Sequence, residues 1–225
     1  MSNLLDLVIA GGPTMIPMIG FSVATIACGF ERSWFWYRLL SKEQRIVHNV
    51  LEAAKHDLEE ARAIAQRATN LPIGRFLVAP LNLTNPNPET FHLAMEAAAD
   101  KEFIEMRKGD KLLETVIAVA PLLGLLGTVT GLIATFGNLN IGGGGSAESA
   151  SKAAAGIGEA LITTAAGMII AIMALLIFRM MVSFQANQID YFSEVGSELE
   201  LIYRQNWYEP SQNPRSHLPA LSRMD

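Results

Sequence analysis

The amino-acid sequence predicts an all-α membrane protein, with three transmembrane helices and long helices that extend from them into the cytoplasm. Half of the 225 residues are hydrophobic and only 17% are charged, whereas an average soluble domain carries about 25% charged residues. Asp, Glu, Lys and Arg are absent from three long stretches, residues 7–30, 115–147 and 160–178. A bilayer core of about 30 Å needs roughly 20 apolar residues in a helix, so each stretch can form one span.

The first apolar stretch is expected to be a retained transmembrane helix within residues 1–40. A cleaved signal peptide has positive charge ahead of its apolar run. Here only Asp6 precedes the run, and Arg32 and Arg38 follow it. The same order of charges disfavours lipid attachment at Cys28. Because Cys28 is the single cysteine, the sequence excludes an intramolecular disulfide.

The distribution of Lys and Arg predicts the orientation, since these residues accumulate on the cytoplasmic side of a membrane. They number zero in residues 1–6, twelve in 31–114, one in 142–159 and four in 179–225. The N-terminus and the glycine-rich connection are therefore expected outside, and the other two regions in the cytoplasm.

Residues 41–114 are predicted to form a cytoplasmic helical region. Apolar residues recur at helical spacing from Lys42 to Thr69, and the prolines that follow are expected to leave a short helix and a loop. From about Glu89 onward the pattern has no clear stop, so we predict one continuous helix that enters the membrane and ends near Gly137.

Residues 115–180 are predicted to form a transmembrane hairpin that contains the second and third spans. The third span also lacks a stop at its inner end, which predicts a helix from about Ala147 to Tyr203, roughly 85 Å long at 1.5 Å per residue. Its extension covers residues 181–207. The proline-rich segment 208–225 is expected to be a disordered tail.

Small residues recur at spacings of three and four along the second and third spans. Gly124, Gly127 and Gly131 lie on the second span, and Gly167 lies on the third. Small residues let helices approach closely in lipid, so these glycines are interpreted as helix-packing positions.

Glu159 is the acidic residue with the greatest functional interest, because the apolar character of the third span begins before it. A carboxylate inside a span is costly and usually faces the interior of a bundle. The alternative is an interfacial glutamate at the outer end of the helix. Thr163 lies one turn further on the same face, and Thr164 lies at a similar height.

Threonines within the spans allow two interpretations. Thr128 and Thr135 on the second span could supply hydroxyl groups to a path for protons or water. Threonines in membrane helices also commonly bond to their own backbone carbonyls, which would make these residues purely structural.

Several function classes are disfavoured by composition. The net charge of −5 gives no reason to expect a nucleic-acid partner. The four histidines show no ligand spacing, so no metal and no cofactor is expected. The glycine-rich connection lacks the lysine of a phosphate-binding loop. The spans contain neither His nor Asp, so no catalytic residue is assigned and an intramembrane enzyme is disfavoured.

Two motifs carry a resemblance to a known family. PLLGLLGTVTGLIATF (Pro121–Phe136) followed by GIGEALITTAAGMIIAI (Gly156–Ile172) resembles the MotA/TolQ/ExbB proton-channel family, with short ExbB-like members the most similar. Stators of the MotA type have four spans and fit less well. In this resemblance Glu159 matches the membrane glutamate of the family, and Thr128 and Thr164 match threonines that line its channel.

The resemblance implies a homopentamer in the bacterial inner membrane, with a periplasmic N-terminus and a cytoplasmic C-terminus. It further implies a single-span partner of the ExbD or TolR type in the central pore and a TonB- or TolA-like protein that receives the motion. Proton-motive force would then drive active transport across the outer membrane. Glu159 would either carry protons or shape the polar cavity.

Two alternatives to this function stay open. A TolQ-like subunit would serve envelope maintenance rather than uptake. A passive scaffold would hold a partner in the lipid bilayer without any proton path.

Overall fold

The computed structural model describes residues 13–137 and 147–212, without the side chains of residues 147–150, Lys152, Glu159 and Gln212. These residues are helical with short connections, and no strand occurs among them, which confirms the predicted all-α class for this part of the chain. The helices are α1 Met15–Leu40, α2 Glu43–Ala54, α3 Leu58–Arg67, α4 Pro72–Leu81, α5 Pro88–Met106, α6 Asp110–Gly137, α7 Ala147–Tyr203, a π-helix Arg204–Tyr208 and α8 Glu209–Gln212.

The chain divides into two compact units. The first unit comprises residues 1–33 and 109–182, and the second comprises residues 34–108 and 183–225. Helices α1 and α7 each contribute residues to both units. The core of the first unit is formed by α6 and α7 around Leu113, Val116, Ala120, Ala171, Ala174 and Met181. The second unit has a larger core rich in aromatic residues, among them Trp36, Phe76, Phe91, Phe192 and Tyr203.

Two helical stretches among the described residues are long and apolar enough to cross a membrane. They are Pro88–Gly137 and Ala153–Ser211, and only 28% and 22% of their most apolar windows are buried within the chain. A core helix of a soluble protein would be mostly buried, so these apolar surfaces need lipid or another protein around them. The first predicted span begins outside the described residues, and three spans therefore stay a prediction.

The stretch from Lys42 to Thr69 is helical as predicted, and it forms two helices because the chain breaks after α2. The side chain of Asp57 accepts hydrogen bonds from the backbone N–H groups of Glu59, at 2.8 Å, and of Glu60. This is a helix N-cap, and it starts α3 as a separate helix. The predicted short helix and loop that follow are confirmed by α4 and by the loop before α5.

The continuous helix predicted from Glu89 to Gly137 is wrong, because α5 ends at Met106 and α6 begins at Asp110. Gly109 has a φ angle of +93°, in the left-handed region that favours glycine. A Cβ atom at this position would also lie 2.8 Å from Cys28 Sγ. The break therefore depends on glycine for both its backbone conformation and its space.

Helix α7 has the predicted bounds, Ala147–Tyr203. The prediction of disorder is wrong for residues 208–212, which are helical, while the rest of the predicted tail lies outside the described residues. Two side chains anchor this end of the helix within the second unit. Tyr203 Oη donates to Pro86 O at 2.6 Å, and Trp207 Nε1 donates to Ala54 O at 2.9 Å.

An ion pair between the buried carboxylate of Glu102 and the partly exposed side chain of Arg75 connects α4 to α5 in the second unit. Glu102 is only 2% exposed, and its carboxylate receives two hydrogen bonds from the Arg75 guanidinium, one of them 2.7 Å from Nε to Oε1. Arg75 Nη1 also donates to Thr69 O at 2.9 Å. Both carboxylate oxygens of Glu102 accept hydrogen bonds from the Arg75 guanidinium. Arg75 therefore offsets the free-energy cost of burying the charge of Glu102.

Candidate functional site: the contact between α6 and α7

Glycines bring the backbones of α6 and α7 into direct contact in the first unit. A Cβ atom built on Gly124 would lie 2.9 Å from both Thr163 O and Thr164 Cα, and one built on Gly127 would lie 2.5 Å from Thr163 Oγ1. One built on Gly131 would lie 2.8 Å from Ala160 Cβ. The structure therefore places the small-residue stripe of α6 against α7, at a separation that larger side chains do not permit.

Three threonine hydroxyls, those of Thr128, Thr163 and Thr164, gather near the Gly124 carbonyl, and we call them the hydroxyl cluster. Thr164 Oγ1 donates to Gly124 O at 2.9 Å and lies 3.4 Å from Thr128 Oγ1. Thr163 Oγ1 lies 3.2 Å from the same carbonyl and 2.7 Å from Ala160 O on its own helix. Thr128 and Thr163 are 8% and 1% exposed, so this polar group is buried inside the helix contact.

The threonines of the hydroxyl cluster bond both to carbonyls of their own helix and to the neighbouring helix. Thr128 Oγ1 bonds to Leu125 O of its own helix at 2.7 Å, as an isolated threonine commonly does. Thr164 instead reaches across to the neighbouring helix. Thr130, which is exposed on α6 and lies outside the cluster, bonds only to carbonyls of its own helix, Leu126 O and Gly127 O, among the described contacts.

Thr135 lies apart from the hydroxyl cluster, further along the same helix contact. Its Oγ1 donates to Gly131 O at 2.8 Å, and it fills the space in which a Cβ on Gly156 would stand. Helices α6 and α7 run antiparallel, because Gly156 faces Thr135 while Ala160 faces Gly131. The backbone of Glu159 therefore lies at the level between those two pairs, and its side chain is outside the described part of the structure.

Thr14, just before α1, also reaches this site and was not identified from the sequence. Its Oγ1 would lie 2.8 Å from a Cβ on Gly127, next to Thr163 Oγ1 at 2.5 Å from the same point. A threonine inside the first apolar stretch does not by itself indicate a place in this site. Only the packing of α1 onto the hairpin brings Thr14 to the α6–α7 contact.

The chemistry available at the site is hydrogen bonding by hydroxyl groups. A hydroxyl can donate one hydrogen bond and accept others, so neighbouring hydroxyls on two helices can orient water or pass on a proton that another group supplies. Among residues 13–137 and 147–212, the described side chains contain no cluster of three His, Cys, Asp or Glu that could hold a metal ion.

We expect Gly167→Ala to lower the free energy of unfolding by about 1–3 kcal/mol, as overpacking does. The added Cβ would lie 2.5 Å from Ala120 O, a backbone atom that cannot turn away. The control is Gly158→Ala on the same helix, where a Cβ meets nothing within 4 Å and helix propensity favours alanine by about 1 kcal/mol. Thermal unfolding of the purified protein in detergent measures both, and equal shifts for the two variants would contradict the close contact.

The comparisons with known proteins cover this site. The model of the "MotA/TolQ/ExbB proton channel family" matches residues 68–194, which include all of α6 and the part of α7 that faces it. A Synechocystis sp. protein named as ExbB-like 1, a biopolymer transport protein, is 65% identical over 210 residues, which cover 93% of this chain and 83% of that protein.

More distant relatives are similar over shorter regions. The biopolymer transport protein ExbB of Xanthomonas campestris is 39% identical over 106 residues, covering 47% of this chain and 36% of its own length. The Tol-Pal system protein TolQ of Haemophilus influenzae is 33% identical over 113 residues, covering 50% of this chain and 48% of its own. The family match spans more than half of the chain, and the chain belongs to the MotA/TolQ/ExbB proton channel family.

Proposed function

We propose that this protein is the proton-channel subunit of an energy-transducing complex of the ExbB–ExbD–TonB type, which couples proton-motive force to active transport across the outer membrane. The observation that carries the proposal is the hydroxyl cluster, in which Thr164 and Thr128 of the family motifs approach to 3.4 Å across the α6–α7 contact. The likeness to an ExbB-like protein over 93% of the chain supports the same function. The protein acts as a channel and motor subunit and not as an enzyme.

In this proposal the chain crosses the inner membrane three times, with its N-terminus in the periplasm and its C-terminus in the cytoplasm. Five copies surround a single-span partner of the ExbD or TolR type, and a TonB- or TolA-like protein receives the motion. The apolar surface left exposed on one chain supports an assembly in lipid. It includes Leu122 at 64%, Ile133 at 67% and Leu176 at 66% exposure, all in the first unit.

The site residues have separate roles in this proposal. Glu159 provides the titratable group at the membrane site, either as proton carrier or as the residue that keeps the cavity polar. Thr128, Thr163 and Thr164 line the path, and Thr135 extends it toward the end of α6. Gly124, Gly127, Gly131 and Gly167 hold the two helices together so that the path keeps its geometry.

A TolQ-like role in envelope maintenance is the second candidate, and the 33% identity to the TolQ of H. influenzae over half of this chain favours it. A passive scaffold is the third candidate. It would need the same close helix contact but would have no use for hydroxyl groups that reach between the helices.

Deletion of the gene in the native cell separates these candidates. The TonB-type function predicts that energised uptake of scarce nutrients fails while resistance to detergents is retained, and that restoring the wild-type gene restores uptake. Sensitivity to detergents with normal uptake would assign the TolQ-like role. Uptake that is lost on deletion but restored by a variant with Thr128 and Thr164 both changed to valine would favour the scaffold.

A further inference from the structure

Glu43 and Gln188 form a buried carboxyl–amide pair in the second unit, far in sequence from the membrane motifs. Glu43 in the first turn of α2 is 5% exposed, and Gln188 on α7 is 2% exposed. Gln188 Nε2 donates to Glu43 Oε1 at 2.8 Å. The pair therefore joins α2 to α7 through a polar contact that water does not reach freely.

Each group of this pair has one oxygen left over. Glu43 Oε2 and Gln188 Oε1 are both buried and have no hydrogen-bond partner among the described residues. Both oxygens are acceptors when Glu43 is ionised, and buried polar atoms without partners are costly. Glu43 Oε2 becomes a donor on protonation. Because the two planar groups already share one hydrogen bond, a single proton can supply the second and satisfy both oxygens.

We propose that Glu43 and Gln188 form a proton-binding site, in which Glu43 takes up one proton on Oε2 and donates it in a hydrogen bond to Gln188 Oε1. The proton comes from solvent and returns to it, so α2 is held most firmly on α7 when the site is occupied. The site lies outside the membrane motifs and responds to pH in the compartment that surrounds the second unit.

The electrostatic surroundings of Glu43 agree with this site. Burial raises the pKa of Glu43, and the hydrogen bond from Gln188 lowers it by a smaller amount. Tyr191 on α7 is the titratable group that Glu43 influences, and its pKa is raised to about 12, first by burial and then by Glu43. Tyr191 is therefore neutral at physiological pH. Lys42 and Arg45 flank Glu43 in sequence but are exposed to solvent.

The sign of the pH dependence follows from the raised pKa. The ordinary pKa of this carboxyl is 4.5, so its contribution to stability is complete below about pH 4.5. The contribution is lost progressively as the pH rises from about 4.5 through the higher pKa of the folded state, because over that range the unfolded chain has released a proton that the folded protein still binds. The N-terminal position of Glu43 in α2 also favours the anion, so release is attainable.

Glu43→Gln tests the proposal, because a glutamine can accept from Gln188 Nε2 and donate to Gln188 Oε1 without binding a proton. In the full-length protein in nanodiscs, the melting temperature of Glu43→Gln should match that of the wild type at pH 4 and exceed it by about 2–4 °C at pH 8. Glu60→Gln, at an exposed position on α3, is the control and should follow the wild type at both pH values. A Glu43→Gln curve parallel to the wild type across this range would overturn the proposal.

Infrared spectroscopy gives a direct readout that does not depend on the unfolding transition. As the pH is lowered from 8, the wild type should develop, at a pH above 4.5, a carboxylic-acid C=O band that is absent from Glu43→Gln and present in Glu60→Gln. In Gln188→Met, which removes the amide partner, the band should move to higher frequency because the acid loses its hydrogen bonds. A bound water could instead donate to both oxygens and leave Glu43 ionised. No such band at any pH above 4.5 would favour that arrangement and overturn the proposal.

Discussion

Replacing Glu159 by glutamine is expected to abolish energised transport while the protein still assembles in the membrane. Glutamine has nearly the shape and polarity of glutamate but cannot take up and release a proton near neutral pH. Loss of a proton-transfer group typically costs a factor of about 100 or more in rate. The backbone of residue 159 lies one turn before Thr163 on α7, next to the level of the hydroxyl cluster.

The measurement is uptake of a transported nutrient in cells whose chromosomal gene is replaced by each variant, with membrane levels and assembly checked by crosslinking. Glu114→Gln is the control, because Glu114 is an exposed carboxylate on α6. Glu159→Asp keeps a titratable group and is expected to retain part of the activity. Wild-type uptake by a fully assembled Glu159→Gln protein would remove Glu159 from the proton path and leave it a structural role.

A partial loss has a different meaning. If Glu159 only keeps the cavity polar, glutamine preserves most of that polarity, and uptake should fall by much less than the factor of about 100 expected for a proton carrier. A loss that is smaller in Glu159→Gln than in Glu159→Leu would therefore assign Glu159 to the cavity. The threonines of the cluster would then be the residues that contact the proton path contributed by the partner.

The periodicity of apolar residues along the sequence predicted the bounds of the long helix α7 better than the bounds of the shorter helices of the second unit. Helix α7 follows its apolar pattern from Ala147 to Tyr203 without interruption, because nothing in that stretch satisfies the backbone better than the helix does. The breaks at Asp57 and Gly109 were missed. Each depends on one residue, a capping carboxylate or a glycine at positive φ, whose effect a helical period does not reveal.

The composition of the site could be predicted from spacing, but its pairing could not. The stripe of glycines indicated a helix contact, yet only the register shows that Thr164 bonds to Gly124 O rather than to its own helix. Register depends on how two helices meet, and residues 40 positions apart carry no local sign of it. The Glu43–Gln188 pair, 145 residues apart, was out of reach for the same reason.

Arg75→Met is expected to lower the free energy of unfolding by about 3 kcal/mol, the cost of leaving a buried charge without its partner. The methionine keeps much of the apolar stem of Arg75 but removes both hydrogen bonds to Glu102, whose side chain is only 3% exposed. It also removes the bond to Thr69 O. Arg62→Met on α3 is the matched control. Arg62 bonds to Asn82 and Glu59 at the surface, where such contacts contribute less than about 1 kcal/mol.

A double variant separates the charge from the packing at this site. In Arg75→Met with Glu102→Leu, no carboxylate is left to bury, and replacing a buried ion pair by apolar residues is often neutral or stabilising. The double variant should therefore recover most of the stability that Arg75→Met loses, as measured by thermal unfolding in detergent. If the double variant is less stable than Arg75→Met alone, the Arg75 side chain acts through packing and its bond to Thr69, and the α4–α5 contact does not depend on charge compensation of Glu102.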